Sequence, residues 1–431
     1  MSAHSSLQAT ANASTAEPGV DRERSFDLTG PLPARVVFLT HYIPLYQVRV
    51  LEEIARRVRH FHVLISTPIE PNRQFELDWG SLDVTVQKTW TFQRRWDHRV
   101  SKHPKDSALG GFSDPLYVHV PYDTQRQLRR FNPDVVMSLE LGARSLGAIR
   151  YCRRSPRAKS VLCTYMSEHT EQNRGALRAK LRRYLVNQAD ALTYNGPSCK
   201  QYLESIGADP SKLHRLAYAA DDRSVYRGAV CRKESTVRSR LLYVGQLSER
   251  KGVLPMLRQL ADDCLENPRR EIEIRLAGDG PLRDSIERFE VPQNLCVRLL
   301  GNLSPSELAN EMALAGASIA PTLADEWLLV VNEALQAGLP MIGSKYAQAT
   351  TTLIKDGVNG WQYDPCQTDR SHPESLSMAL ERYFELSDQS IADMRSNCRQ
   401  SIGHCTPRWA ASGAIEAISA VMDSRRDERK S

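Results

Sequence analysis

Two acidic residues eight positions apart are the first candidates for chemistry in this sequence. Asp325 and Glu333 lie in the stretch IAPTLADEWLLVVNEALQAGLP, among apolar residues at helical spacing. If one helix carries both, eight residues correspond to about 12 Å of rise and place the carboxylates on roughly the same side. They would then bind hydroxyl groups at the two ends of a nucleotide sugar, with the helix N-terminus facing its diphosphate. The alternatives are that Asp325 is a helix N-cap and Glu333 an exposed helix former.

A second candidate site follows the predicted strand that ends at Val244. The segment GQLSERKG places Gly245 at a close turn and brings Arg250 and Lys251 to the start of the next helix. Two cations beside helix N–H groups suit a diphosphate, because fixed positive charge stabilises a departing phosphate without a metal ion. A solvated basic first turn is the alternative. The segment LAGDGP, residues 276–281, ends another strand at glycines and by itself indicates a tight turn.

The elements that position these residues alternate between strand and helix. Residues 35–40 form a short β-rich run, apolar residues at helical spacing follow, and a strand at 62–67 completes a βαβ unit. Similar strand patterns recur at PDVVMSLE, KSVLCTY and DALTYNG, and later at RLLYVG, EIEIRLAG, CVRLLG, ASIAPT and PMIGS. The sequence therefore predicts an α/β protein with two doubly wound domains whose strand ends open on a shared cleft.

The same rhythm predicts the domain boundaries. Residues 1–32 are rich in Ser, Ala and Thr and lack the apolar core of a secretory signal, so we expect a disordered tail. One Rossmann-like domain is predicted at 33–226, an arginine-rich linker at 227–239 and a second Rossmann-like domain at 240–405. The remaining segment, 406–431, carries the apolar stripe of a helix.

Composition excludes several functional classes for these 431 residues. The net charge of +6 is scattered, which suits an anionic ligand or lipid surface, and no zinc-finger, basic-zipper or ribonucleoprotein pattern predicts nucleic acid. Nine cysteines without a C-x-x-C pair indicate reduced thiols in a cytoplasmic protein without a metal site. An apolar run of about twenty residues does not occur, so any membrane contact is predicted to be peripheral.

Three segments in register resemble the retaining glycosyltransferases of family four, also called glycosyl transferases group 1. They are YVGQLSERKG, LAGDGP, and DEWLLVVNEALQAGLP followed by IKDGVNGWQYDP. The likeness is strong in the C-terminal half and fainter at MSEHTEQNRGALRAKLRRYLVNQADALTYNGPS. The resemblance implies a GT-B fold, with two Rossmann-like domains facing a central cleft. The N-terminal domain would bind the acceptor and the C-terminal domain a nucleotide-diphosphate sugar, and the final helix would pack back on the N-terminal domain.

The resemblance also assigns roles to residues. Lys251 matches the diphosphate-binding lysine, Glu333 the ribose-binding second glutamate of the Glu-x7-Glu motif, and Asp325 the first, which lies near the donor sugar. His169 matches the histidine beside the donor sugar, although a lone histidine is often structural. The predicted catalytic set is therefore Asp325, His169, Lys251 and Arg250. The predicted donor-binding set is Gly245, Gln246, Lys251, Leu329, Val330 and Glu333, in which Leu329 and Val330 offer backbone amides to the phosphates.

The motifs depart from the family pattern at several positions. Gln246 stands where an arginine usually assists Lys251, which leaves Arg250 as the substitute. Asp325 is one methylene shorter than glutamate, and Glu326 is a candidate to compensate. Leu328 replaces a glycine, and the segment after the first strand, THYIPLYQVRV, has no glycine-rich loop. These changes put donor preference in question.

The resemblance implies transfer of a glycosyl unit with retention of configuration, without a cofactor or metal ion. The expected partners are a nucleotide-sugar donor and a saccharide or lipid-linked acceptor, in the synthesis of cell-surface polysaccharide or glycolipid. The alternatives are a GT-B nucleotide-sugar hydrolase or epimerase and a catalytically silent sugar-nucleotide-binding scaffold.

One helix indicates where a membrane would be contacted. Its arginines recur every fourth residue beside a leucine stripe, a pattern that suits an anionic inner membrane face or, alternatively, a solvated helix face. The six residues are Arg174, Arg178, Arg182, Leu177, Leu181 and Leu185.

Overall fold

The computed structural model describes residues 30–70, 77–100, 111–172, 174–220 and 237–427. The predicted N-terminal tail lies outside these residues except at its last three positions. Most of the predicted linker also lies outside them, since residues 221–236 are not described.

The first domain is built on a seven-stranded parallel sheet in the order β3-β2-β1-β6-β7-β8-β9. Its elements are β1 (Leu32–Thr40), α1 (Leu45–Ala55), β2 (Val58–Ile65), β3 (Val84–Val86), β4 (Thr89–His98), β5 (Phe112–Pro121), α2 (Thr124–Phe131), β6 (Val135–Leu139), α3 (Ala143–Arg154), β7 (Lys159–Cys163), α4 (Ala176–Gln188), β8 (Ala191–Tyr194), α5 (Pro197–Ser205) and β9 (Leu213–Arg215). The central strand β6 is buried along its whole length, as expected for a parallel sheet covered on both faces.

The second domain has a six-stranded parallel sheet in the order β12-β11-β10-β13-β14-β15. Its elements are β10 (Arg240–Val244), α6 (Val253–Glu266), β11 (Ile272–Ala277), α7 (Arg283–Glu287), β12 (Leu295–Gly301), α8 (Pro305–Leu314), β13 (Ala317–Ala320), α9 (Val330–Ala337), β14 (Met341–Ser344), α10 (Gln348–Leu353), β15 (Gly360–Tyr363), α11 (Leu376–Phe384), α12 (Asp388–Ile402) and α13 (Pro407–Asp427). The order of strands reverses between β10 and β13, and between β1 and β6 in the first sheet. Such switch points are where doubly wound sheets bind ligands.

The last helix, α13, packs on the first domain rather than the second. Its apolar face joins the core cluster that contains Phe38 of β1 and Val161 of β7. The α13 residues buried there are Ala411, Ala414, Ile415, Ala417, Ile418 and Val421. Among the described residues, no helix is long and apolar enough to cross a lipid bilayer.

A two-stranded antiparallel ribbon, β4 and β5, reaches from the first domain to the second. Its far end packs Phe112 against Leu323, and the Ser113 amide donates a 3.3 Å hydrogen bond to the Glu249 carboxylate. The sequence patterns did not predict this ribbon. It joins the two domains at the side of the cleft where Arg250 and Lys251 lie.

Candidate functional site

Glycines let the loops that follow β10, β11 and β13 pack closely against one another. A Cβ atom at Gly278, in the segment LAGDGP, would lie 2.0 Å from the Gly245 carbonyl oxygen. One at Gly252, whose φ is +69°, would lie 2.2 Å from the Pro321 carbonyl oxygen. Backbone therefore packs directly on backbone between three loops, which fixes the basic residues that precede Gly252 beside the loop after β13.

Asp325 does not lie on the helix that carries Glu333. That helix, α9, begins at Val330, and its N-cap is Leu329 with no side-chain cap. Both predictions that placed Asp325 on or capping the helix are therefore wrong. The Asp325 carboxylate instead accepts a 3.2 Å hydrogen bond from the Trp327 amide, a local bond that competes with helix formation.

Leu328 adopts a backbone conformation that is typical of glycine. Its φ is +81°, in the left-handed region that a leucine side chain disfavours. The loop after β13 therefore turns sharply into α9 at this residue, which is why the helical spacing upstream of it gave the wrong prediction for Asp325. A leucine in this conformation carries local backbone strain.

Lys251 and Arg250 converge on Asp325. Lys251 Nζ lies 2.5 Å from the Asp325 carboxylate and Arg250 Nη1 lies 3.4 Å from it. Desolvation alone would raise the pKa of Asp325, but the two cations hold it at about 2. Arg250 Nε also donates a 2.7 Å hydrogen bond to Asp114 of β5. Burial would lower the pKa of Arg250, but Asp325 and Asp114 hold it above its ordinary value.

The Glu333 carboxylate has no hydrogen-bond or ion-pair partner among the described residues, although the residue is half-buried. Desolvation raises its pKa to about 7. It lies in the first turn of α9, three residues after Val330, where the backbone amides at the helix N-terminus lack partners within the helix. A carboxylate without partners in this position is free to accept hydrogen bonds from ligand hydroxyl groups.

Gly245 and Gln246 lie at the carboxyl end of β10, on the loop that leads to Lys251. The Gly245 amide donates to the Ala277 carbonyl at 2.9 Å, and the Gln246 carbonyl accepts a 2.7 Å hydrogen bond from the Tyr243 hydroxyl. These backbone bonds hold the loop in place. The Gln246 side chain, which is half-buried, supplies no positive charge, so Arg250 remains the second cation.

His169 reaches across the cleft. Its Nε2 lies 2.8 Å from the Leu323 carbonyl oxygen, so this nitrogen carries the proton and donates it. Its ring stacks on Tyr346 with centroids 4.6 Å apart. His169 belongs to the first domain, but contacts with the second domain hold it in place. One of these contacts is with Leu323, which precedes Asp325 by two residues.

The six residues of the predicted arginine and leucine stripe do not form one continuous surface. Arg182 is 1% exposed and pairs with Glu171, so it is buried inside the first domain. Arg174 precedes α4 and lies over the Trp96 ring of the ribbon, 3.9 Å from its centroid. Of the predicted leucine stripe, Leu177 is 87% exposed and Leu185 is fully buried. Long-range contacts with Glu171 and Trp96 therefore override the amphipathic pattern.

Several site residues were not predicted as such. Glu140 follows β6 at φ +68° and pairs with Arg144 at 2.9 Å. Asp114 contacts Arg250 from the ribbon, and Tyr346 supports His169. The position of Glu140 at the carboxyl end of a buried strand was a signal available in the sequence. No comparable signal in the sequence marked Asp114 or Tyr346.

Glu326 follows Asp325 and lies beside the first domain. Its carbonyl oxygen accepts a 2.9 Å hydrogen bond from the Asn195 side chain of that domain. Desolvation and the negative charges of Glu140 and Asp325 raise the pKa of Glu326 to about 7. Within the described part of the chain, no group of three or more His, Cys, Asp or Glu residues is arranged to hold a metal ion. Metal independence stays a prediction.

Comparison with known proteins now bears on these features. Residues 238–385 match the family model of glycosyl transferases group 1. The D-inositol 3-phosphate glycosyltransferase of Corynebacterium kroppenstedtii is 25% identical over 228 residues, which are 48% of this chain and 48% of that relative. The sulfoquinovosyl transferase SQD2 of Arabidopsis thaliana is 22% identical over 275 residues, 59% of this chain and 52% of that relative. The matched stretch thus spans about half the length of these curated relatives.

The fold is shared over nearly the whole molecule. The crystal structure of Anabaena HepE with UDP superposes with a TM-score of 0.65 at 15% identity, over 90% of this chain and all of that one. The chain has the GT-B fold, as predicted. The resemblance to glycosyl transferases group 1 is confirmed by the family model across the second domain.

Proposed function

We propose that this GT-B chain transfers a sugar from a nucleotide-diphosphate sugar to a hydroxyl acceptor, with retention of configuration and without a metal ion. The observation that carries the proposal is the convergence of Lys251 and Arg250 on Asp325, in the loop that leads into α9, together with the unpartnered Glu333 carboxylate in the first turn of that helix. Cations suit the diphosphate, and the carboxylate suits ribose hydroxyls. HepE was crystallised with UDP and with UDP-glucose, which supports a nucleotide-sugar donor here.

The chemistry would depend on positioning and charge more than on proton transfer by the protein. As the glycosidic bond breaks, negative charge grows on the diphosphate, where Lys251 and Arg250 stabilise it. A departing phosphate oxygen on the same face of the sugar takes the proton of the acceptor hydroxyl. Asp325 and His169 orient the donor sugar between the domains. Closure of the cleft excludes water and limits hydrolysis.

The acceptor enters from the first domain in this proposal. A saccharide or lipid-linked acceptor in cell-surface polysaccharide or glycolipid synthesis stays the prediction from the sequence. The arginine stripe no longer supports peripheral membrane contact, because Arg182 is buried.

A silent scaffold is the second candidate, because both cations already have acidic partners. Asp325 contacts Lys251 and Arg250, and Asp114 contacts Arg250. A diphosphate must share or displace these carboxylates before it binds. The same contacts are compatible with an enzyme whose cations are held in place until the donor arrives, and the two readings differ in whether a donor binds and turns over.

Nucleotide binding separates these readings. We would titrate the full-length protein with UDP-, GDP- and ADP-sugars in EDTA by calorimetry, and measure the shift in melting temperature. Binding of one nucleotide family that is lost in Lys251→Ala and Glu333→Ala, but kept in the exposed control Lys355→Ala, supports the donor site. No binding by any sugar nucleotide overturns it and favours the scaffold.

Stereochemistry tests the reaction itself. Without an acceptor, slow transfer to water releases free sugar from the bound donor, and NMR identifies its anomer before it equilibrates. An initial anomer that matches the donor supports retention. An inverted anomer contradicts the proposed same-face displacement, and rapid turnover of donor to free sugar would indicate a hydrolase.

A further inference from the structure

Two arginines on the first domain's side of the cleft are held ready without a close acid of their own. Arg174 Cζ lies over Trp96, 3.9 Å from the ring centroid, and Arg174 Nε donates a 3.4 Å hydrogen bond to the Thr170 carbonyl. Arg178 Nε approaches Glu171 only to 4.0 Å, and its side chain is 36% exposed. Both guanidinium groups therefore keep donor N–H groups for a further partner.

The acids in this region are committed elsewhere. Glu171 pairs with the buried Arg182, and Glu140 pairs with Arg144 at 2.9 Å. Glu326, across the cleft, acts on both arginines through its negative charge but forms no ion pair with either of them among the described residues. The cluster therefore has an excess of positive charge on the wall of the cleft.

The charge of Arg178 repels that of Arg174. Burial and the charge of Arg178 together lower the pKa of Arg174 to about 10, against the opposing effect of Glu326 and Glu140. Burial likewise lowers the pKa of Arg178. An anion placed between the two guanidinium groups would relieve this repulsion.

Position distinguishes this cluster from the donor site. Lys251 and Arg250 belong to the second domain, whereas Arg174 and Arg178 belong to the segment that leads into and begins α4 of the first. Glu326, whose charge acts on both arginines, follows Asp325 directly and faces the first domain through Asn195. The arginines thus lie on the side from which the acceptor enters.

We propose that Arg174 and Arg178 bind a phosphate group carried by the acceptor, an inference that rests on the function proposed above. Planar guanidinium groups bind phosphate oxygens with paired hydrogen bonds, and Trp96 fixes one of the planes in advance. The phosphate belongs either to a soluble sugar or polyol phosphate or to a lipid phosphate at a membrane surface.

The first test measures binding of glycerol 3-phosphate, with glycerol as the uncharged comparison, to the full-length protein by calorimetry. Charge-assisted hydrogen bonds predict that Arg174→Gln/Arg178→Gln weakens binding at least tenfold. Arg174→Lys should lose part of this affinity, because it keeps the charge without the planar stacking. The control Lys180→Gln/Arg183→Gln, on the exposed face of α4, should change it less than twofold.

The source of the phosphate is tested with vesicles of phosphatidylcholine containing phosphatidic acid. Co-sedimentation that disappears in Arg174→Gln/Arg178→Gln, when glycerol 3-phosphate does not bind, identifies a lipid phosphate. The proposal is overturned if neither glycerol 3-phosphate nor the vesicles bind, or if the native protein and the double variant bind them equally. It is also overturned if binding is lost in Lys251→Ala instead of in the double variant. Sugar-nucleotide affinity, measured on the same variants, should be unchanged within twofold, so failure of the donor site is recognised separately.

Discussion

Asp114 of the first domain and Arg250 of the second are joined by a 2.7 Å hydrogen bond between carboxylate and guanidinium. Both side chains are about one-fifth exposed, at 20% and 19%. The pair connects the β4–β5 ribbon to a cation that the donor diphosphate is proposed to use. An ion pair between the domains and an ion pair with substrate therefore compete for one side chain.

This competition predicts that Asp114→Asn tightens donor binding. Removing the carboxylate frees Arg250 for the diphosphate, and we expect the Kd for the bound sugar nucleotide to fall about threefold to tenfold, by the usual size of such pairs. Calorimetry measures it. Asp97→Asn, an exposed position on the same ribbon, should leave the Kd unchanged. Weaker binding in Asp114→Asn would mean that Asp114 orients Arg250 instead of competing with the ligand.

Glu333 predicts a dependence of stability on pH. Desolvation raises its pKa from 4.5 to about 7, so the folded chain binds the proton more tightly than the unfolded chain. The contribution of Glu333 to the free energy of unfolding therefore falls as pH rises between about 4.5 and 7. We expect Glu333→Gln to match the native protein near about pH 4 and to be about 1–2 kcal/mol more stable near about pH 8.

Urea unfolding of the ligand-free protein at both pH values measures this difference. Glu381→Gln, at an exposed position on α11, provides the comparison and should show no such change. A Glu333→Gln variant that gains nothing at high pH would mean that the carboxylate is hydrated in solution.

Leu328 predicts an unusual ranking of two small side chains. At the φ of +81° found at Leu328, glycine is unstrained and alanine is strained. The two substitutions remove almost the same leucine packing, since alanine and glycine differ by only one methyl group. We expect Leu328→Gly to be more stable than Leu328→Ala by about 1 kcal/mol, by thermal or urea unfolding. At Ala334, inside α9, a change to glycine should destabilise instead. If Leu328→Ala were more stable than Leu328→Gly, the left-handed backbone conformation at Leu328 would be contradicted.

We expect substitution of Arg182 to lower the free energy of unfolding strongly, although the sequence pattern placed this residue on the surface. Arg182→Met leaves Glu171 buried without its partner, and we expect a loss of about 3 kcal/mol in the free energy of unfolding. The double variant Arg182→Met/Glu171→Met should recover most of that loss, because no charge remains buried. Arg183→Met, on the exposed face, should change stability by less than about 0.5 kcal/mol. An Arg182→Met variant as stable as the native protein would place Arg182 in solvent.

The alternation of strands and helices could be predicted from sequence because buried parallel strands read as short apolar runs. The positions of Lys251 and Glu333 in the fold could be predicted for a related reason, since their motifs lie directly at strand ends and helix starts. The ribbon could not be predicted. Its first strand is exposed on both faces and its second contains Pro115, so neither carries the period of a half-buried strand.

Two local errors have a common origin. Asp325 was assigned to a helix because apolar spacing continues through Leu328, and nothing in the letters shows that this leucine adopts a glycine conformation. Arg182 was assigned to a surface because its ion pair with Glu171 depends on chain outside its helix. In both cases a tertiary contact or a backbone angle overrides a correct local pattern.

The return of α13 to the first domain has a consequence for biosynthesis. Core residues of that domain, including Phe38 and Val161, are covered in part by Ile415 and Ile418. A ribosome that has made the chain only as far as residue 405 holds a first domain whose apolar wall is still open. That domain therefore cannot reach its final stability before the second is synthesised, and translation pauses in the last third of the message would prolong exposure of a surface prone to aggregation.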